Sequence, residues 1–241
     1  MRTEFIRFKE EIYDPYKRAQ LAIRGVSRRK IIAKAELLNE YYRQIDHFIS
    51  DQKARRWNIT SQSKFRPTVL EEFCGYLFKD IPEIIRLELD FYNKNVFAGI
   101  VLDRNGKALI KTKDIDFCIG KKFAVNIGTE EHQIIIPIIA IECKTYIDKT
   151  MFSESQYTAQ KMKHGSPNVR VYCVAERNEI DIGEIPTKGQ TPLDQIFIIR
   201  GKEINPIKND AIFSFFKEVK DVLKNLSREP IRNEFGGILP D

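Results

Sequence analysis

The most apolar stretch of the chain, Ile134 to Ile141, is eight residues long, six of them isoleucine, and runs directly into Glu142-Cys143-Lys144. A short β-branched run of this kind reads as a buried strand. It is far below the roughly 20 apolar residues that a bilayer-spanning helix needs. Pro137 lies inside it and has no amide proton to give to a ladder, so a bulge or an end of regular pairing is expected there. Side chains alternate along a strand, so Glu142 and Lys144 share one face and Cys143 takes the other. Two charged groups ending so apolar a strand demand a reason, because burying unpaired charge is costly.

The elements around this strand follow from periodicity and punctuation. Residues 28–54 carry Ile31, Ala35, Leu38, Tyr42, Ile45 and Ile49 at three- and four-residue spacing, which predicts a helix with Ser27 as its cap. Gly25 separates it from a shorter upstream helix, and the polar residues 58–66 read as a linker. A second helix is expected from Pro67, with Glu71 and Glu72 near the positive end of its dipole, stopping by Pro82. Strands are expected at 86–92, 96–102 and 108–119, with Asn105-Gly106 as a hairpin turn. A strand at 133–144, a helix at 151–163 and a strand at 169–175 follow. A polar loop at 176–194, a strand at 195–200 and an amphipathic helix at 208–226 complete the order, and the tail reads as irregular. The expected fold class is α/β: a helix, antiparallel-type strands, a helix and a strand, with a parallel pair joined by the 134–175 crossover.

Charge is unevenly placed. Residues 1–67 hold 16 Lys and Arg against 8 Asp and Glu, a net of +8, whereas the remainder is −2. A polyanionic partner accounts for such an excess, and a solvated basic helix surface accounts for it equally well. Arg28-Arg29-Lys30, and Arg55-Arg56 beside Trp57, are the candidate phosphate contacts. They would position a duplex without reading its sequence. The division expected is a basic helical region at 1–66, for DNA binding or dimerisation, and a catalytic domain at 67–241. The four cysteines, Cys74, Cys118, Cys143 and Cys173, have no zinc-site spacing and read as buried, reduced small hydrophobes. The N-terminus has no signal-peptide apolar region, so the expected location is the cytoplasm and no membrane partner is expected.

The chemistry concentrates on three residues. The chain contains three [DE]xK triplets, at 51–53, 142–144 and 218–220, and only the middle one ends a buried strand. Asp116 sits deep in Lys113-Asp114-Ile115-Asp116-Phe117-Cys118-Ile119, followed directly by apolar residues, whereas Asp114 falls at the strand's exposed start. Two carboxylates on neighbouring strands supply hard oxygen ligands suited to Mg2+, which keeps several of its waters. A bound metal polarises a phosphoryl oxygen and helps generate hydroxide. Lys144 would orient the attacking water or stabilise developing negative charge. No Walker A loop, GxGxxG or GxSxG is present, which leaves ATP-driven and dinucleotide chemistry without support.

This arrangement resembles the PD-(D/E)XK nuclease superfamily, whose core runs helix, three strands, helix, strand. The resemblance covers Pro67 to Ala175. It implies a restriction-endonuclease-like αβββαβ core, with Asp116 as the motif's aspartate and Glu142 and Lys144 as its (D/E)XK pair. Ile115 stands where the motif has a weakly held proline. Glu72 fits a common accessory carboxylate on the preceding helix, with simple helix-dipole electrostatics as the plainer reading. The runs ECKTYIDKTMFSESQYTAQKMK and VRVYCVAE are similar to type II restriction endonucleases of the group cutting CCTNAGC-like sites. The function implied is site-specific cleavage of double-stranded DNA with Mg2+, leaving 5′-phosphate and 3′-hydroxyl ends. One site per chain implies, for a double cut, a homodimer, a heterodimer with a related subunit, or two successive nicks. A structure-selective repair nuclease and an inactive DNA-binding protein on the same fold are the alternatives.

Overall fold

The computed structural model describes residues 6–50, 65–187, 189–201 and 206–226. A short π-helical turn, Lys9–Tyr13, leads into α1 (Asp14–Ala22). Gly25, at φ 98°, then breaks the chain before α2 (Arg28–Ser50). Helices α3 (Phe65–Phe78) and α4 (Pro82–Arg86) precede the sheet. Its strands are β1 (Asp90–Tyr92), β2 (Val96–Leu102), β3 (Ala108–Lys113), β4 (Phe117–Ile127) and β5 (Glu130–Ile147). Helix α5 (Lys149–Gly165) crosses over to β6 (Arg170–Asn178), followed by β7 (Gln195–Ile198) and α6 (Asn209–Leu226).

The seven-stranded sheet is mixed. β4 pairs antiparallel with one side of β5. On the other side of β5, β2 pairs parallel at Ile135, and β6 pairs parallel from Ile139 to Ile147. The expected parallel crossover is therefore present, and β7 extends it by a further parallel pairing with β6. The irregularity expected at Pro137 is there too. Ile119 faces Ile139 while the next residue, Gly120, faces Pro137, so Ile138 is the extra residue of a bulge. The bulge presses the strands together: a Cβ on Gly120 would lie 2.5 Å from the Ile136 carbonyl oxygen.

Two apolar layers flank the sheet. One contains α5, through Phe152, Ala159 and Met162, packed on Cys118, Ala140 and Cys173. The other joins α2, α3 and α6 to Phe117, Ile139, Ile141 and Cys143. The expected stripe of α2, namely Ile31, Ala35, Leu38, Tyr42 and Ile45, is buried in this second layer. The basic N-terminal helix is thus built onto the same core as β4 and β5. All four cysteines are buried and unpaired by disulfides. Among the described residues no helix is long and apolar enough to cross a membrane.

Some boundaries differ from expectation. Residues 86–92 alternate, but Pro82 starts a helical turn that runs to Arg86, so β1 begins only at Asp90. The return stretch at 108–119, expected as one strand or more, is two, because the chain leaves β3 at Lys113 and enters β4 at Phe117. Residues 51–64, which include Arg55, Arg56, Trp57 and most of the expected linker, lie outside the described residues.

Candidate active site

Asp116 occupies the short link between β3 and β4. The register Phe117 to Ile141 sets the preceding residue, Asp116, opposite Glu142. Its Oδ2 accepts a hydrogen bond from the Cys143 amide at 2.8 Å, which clamps the carboxylate to β5 between Glu142 and Lys144. Lys144 Nζ donates to Glu142 Oε2 at 2.8 Å, with side-chain exposures of 20% and 10%. Cys118 and Ala140, one step deeper, are opposed beneath α5, so the charged groups lie on the α5 side of the sheet. Cys143 points to the other side, among the α3 residues, where contact with Cys74 and burial push its thiol far above the usual range.

The electrostatics of the cluster follow from this packing. Burial raises the Glu142 carboxyl, Lys144 opposes that, and the negative charge of Asp116 adds to it, leaving a net rise. Burial would lower Lys144, but the charges of Glu142 and Asp116 outweigh it and hold the ammonium above its ordinary value. The site is thus two carboxylates and a cation, confined where charge interactions are stronger than in water. Among the described residues no group of three or more His, Cys, Asp and Glu side chains forms a ready-made metal cage. Two adjacent oxygen donors fit Mg2+, which protein sites usually hold through one or two carboxylates, with water and substrate phosphate completing the shell.

The other expected residues fall elsewhere. Asp114 is exposed and its Oδ1 accepts from the Asn95 amide at 3.1 Å, holding the β1–β2 turn. Glu72 is not brought to the cluster. Its Oε1 accepts from the Tyr13 hydroxyl at 2.7 Å and from the Tyr76 hydroxyl. The neighbouring Glu71 is the α3 carboxylate whose charge acts, together with that of Asp116, on the Cys143 thiol. Arg28 pairs with Asp210 at 2.9 Å and lies over the Phe213 ring, while Arg29 and Lys30 are exposed.

A buried ion pair, not expected from the sequence, lies across the sheet from the site. Ala175 of β6 is the register partner of Lys144, and the next residue, Glu176, lies 3.5 Å from Arg200 Nε. The Arg200 guanidinium also covers the Tyr42 ring, joining α2 to β6 through Glu176. The signal was present: the apolar strand ending VRVYCVA is followed by a glutamate, as β5 is. In the sequence that glutamate falls at the first position of the expected polar loop.

The family model for the Bpu10I restriction endonuclease matches residues 62–218. The chain belongs to the Bpu10I restriction endonuclease family. The match contains Asp116, Glu142, Lys144 and the whole sheet. A solved structure described as the native BbvCI A2B2 tetramer at low resolution aligns with a TM-score of 0.73 and 18% identity, covering 95% of this chain and 90% of that chain. At that identity the likeness shows the fold, and its coverage takes in the N-terminal helices. No curated protein matches the chain. Membership of the Bpu10I family makes the protein a type II restriction enzyme, a site-specific deoxyribonuclease.

Proposed function

We propose that Asp116, Glu142 and Lys144 are the hydrolytic centre with which this Bpu10I-family enzyme cuts duplex DNA, in the presence of Mg2+, to 5′-phosphate and 3′-hydroxyl ends. The observation that carries the reading is the clamp on Asp116. The Cys143 amide fixes its carboxylate beside the Glu142–Lys144 pair at the end of the most apolar strand. Asp116 and Glu142 would hold the metal, which supplies polarisation of the phosphoryl oxygen and a more acidic water. Lys144, kept as an ammonium by its two carboxylate neighbours, stabilises negative charge that builds on the phosphate. Water adds to phosphorus, the bond to the 3′ oxygen breaks, and that oxygen takes a proton from solvent as the hydroxyl leaves.

Glu72 serves two tyrosine hydroxyls and is left out of this centre. Arg29 and Lys30 at the start of α2 supply phosphate contacts that position the duplex. One chain carries one such centre, so both strands are cut either by two successive nicks or with a second centre, from another copy of this chain or from a related subunit. The BbvCI assembly, described as A2B2, is a precedent for the latter.

The test is digestion of long unmethylated duplex DNA with Mg2+, using wild type and Lys144→Ala. Discrete bands with wild type and none with the variant support the proposal, and end-mapping checks the 5′-phosphate. A smear that the mutation removes would point to structure-selective or nonspecific cutting. Equal cutting by both proteins would remove Lys144 from the mechanism.

A further inference from the structure

The catalytic face carries a second lysine that the three-residue motif leaves out. Lys113 is the last residue of β3, three positions before Asp116. Its register partner is Val96 of β2. Directly opposed residues on antiparallel strands share a face. Val96 is fully buried in the layer beneath α5, with Cys118 and Ala140, so Lys113 projects on the face that carries Glu142 and Lys144. The segment between Lys113 and Asp116 is pinned on the β1–β2 turn. The Asn95 amide donates to Asp114 Oδ1 at 3.1 Å, and the Ile115 amide donates to the Asn93 carbonyl at 3.2 Å. Lys113 is therefore fixed relative to Asp116 by a braced three-residue connection.

Its pairing differs from that of Lys144. Lys144 is committed to Glu142 at 2.8 Å. Lys113 is half-buried, and among the described residues no carboxylate lies within ion-pair distance of it. Its positive charge nevertheless reaches Glu142. A half-buried lysine beside the catalytic carboxylates, with no anion of the protein to pair with, is ready to accept an anion from outside. In a DNA-cutting enzyme the anion available at that point is the phosphodiester backbone.

We propose that Lys113 is a phosphate-binding residue of the active site, its ammonium contacting a DNA backbone phosphate at the point of cleavage. The proposal rests on the nuclease reading above and adds a second cation to it. Lys113 holds the strand against the carboxylates, while Lys144 answers the charge that develops during hydrolysis. A solvated strand-end lysine is the plain alternative, and it predicts no effect on DNA.

The experiment compares wild type with Lys113→Ala, Lys113→Gln and Lys113→Arg. Lys217→Ala, an exposed lysine of α6 on the opposite side of the sheet, removes the same charge away from the site. Cleavage is measured with Mg2+, and duplex binding by fluorescence anisotropy across a salt series. Expected for Ala and Gln is a fall in kcat/KM of about ten- to a hundredfold. The slope of log K against log salt should drop by about one. Arg should restore most of both, Lys217→Ala should leave both at the wild-type value, and thermal midpoints should stay together. If wild type cuts and Lys113→Ala and Lys113→Gln cut equally well with an unchanged slope, Lys113 is solvated only and the proposal is overturned alone. If wild type, alone and together with a related subunit, cuts no duplex, the assignment of the hydrolytic centre falls and this proposal with it.

Discussion

The Asp116 carboxylate accepts the Cys143 amide proton at 2.8 Å, so the residue between Glu142 and Lys144 is also the one that positions the third member of the site. This ties the placement of Asp116 to the backbone of β5 rather than to a side-chain rotamer. Asp116→Asn keeps an oxygen that can accept the same hydrogen bond and removes the charge. The expected outcome is a fold and thermal midpoint close to wild type, with cleavage reduced roughly a thousandfold. A parallel circular-dichroism melt and single-turnover cleavage assay checks it. A variant that cuts at a rate near wild type would show that the Asp116 charge is not used.

Glu72→Gln separates two uses of the α3 carboxylates. Glu72 accepts from the Tyr13 and Tyr76 hydroxyls, and burial followed by Glu72 pushes the Tyr13 phenol up to about 12. The expected result is unchanged Mg2+ dependence of cleavage, with stability lowered by about 1–3 kcal/mol from the weakened charge-assisted bonds. Alkaline titration of tyrosine absorbance should show a phenol ionising at lower pH in the variant. A shift in the Mg2+ midpoint would return Glu72 to the site.

What could be read in advance, and what could not, divides along physical lines. The end of β5 was legible because a buried strand declares itself by apolar residues and fixes, with period two, that Glu142 and Lys144 share a face. Asp116 was legible because Phe117, Cys118 and Ile119 follow it into the core. The direction in which Glu72 points was not. Val69, Leu70, Phe73, Cys74, Tyr76, Leu77 and Phe78 are all buried, so α3 is enclosed on most sides and has no single apolar stripe from which to read its phase. Lys113 was missed because a lysine ending a half-polar strand looks like any solvated residue until the register with Val96 assigns its face. Arg200 and Glu176 meet only through the parallel pairing of β6 and β7, a long-range relation that local pattern does not encode.

Gly165→Ala tests the packing that holds α5 over the catalytic face. A Cβ there would lie 2.1 Å from the carbonyl carbon of Ala98 and 2.4 Å from the Gly99 nitrogen, both backbone atoms of β2. Neither can rotate aside, so the end of α5 must lift from the sheet. Destabilisation of about 3 kcal/mol is expected in urea unfolding, at the upper end for overpacking. Gly183→Ala, where an added Cβ meets nothing within 4 Å, should leave the midpoint unchanged. Equal midpoints for the two variants would mean that β2 and α5 do not form the close contact.

Asp80→Asn addresses the buried cation of the N-terminal helices. Lys34 is fully buried, with Nζ 2.7 Å from the Tyr76 carbonyl oxygen and 3.1 Å from Asp80 Oδ2. Burial lowers the lysine below its ordinary value. Burial also pushes Asp80 up, but Lys34, Lys79 and the Gly25 amide outweigh it and hold the carboxyl below the usual aspartate value of 3.8. Removing the carboxylate leaves the ammonium in the core with a neutral partner, which should cost about 3 kcal/mol. The pH dependence has a definite sign. A folded-state pKa below the unfolded value gives stabilisation that is present above the unfolded value and lost as pH falls through the folded one. Wild type should therefore lose this contribution on acidification from about pH 5 downward, and the variant should lack that part of the slope. Urea midpoints at several pH values check both points; parallel curves for the two proteins would show that Asp80 does not stabilise Lys34.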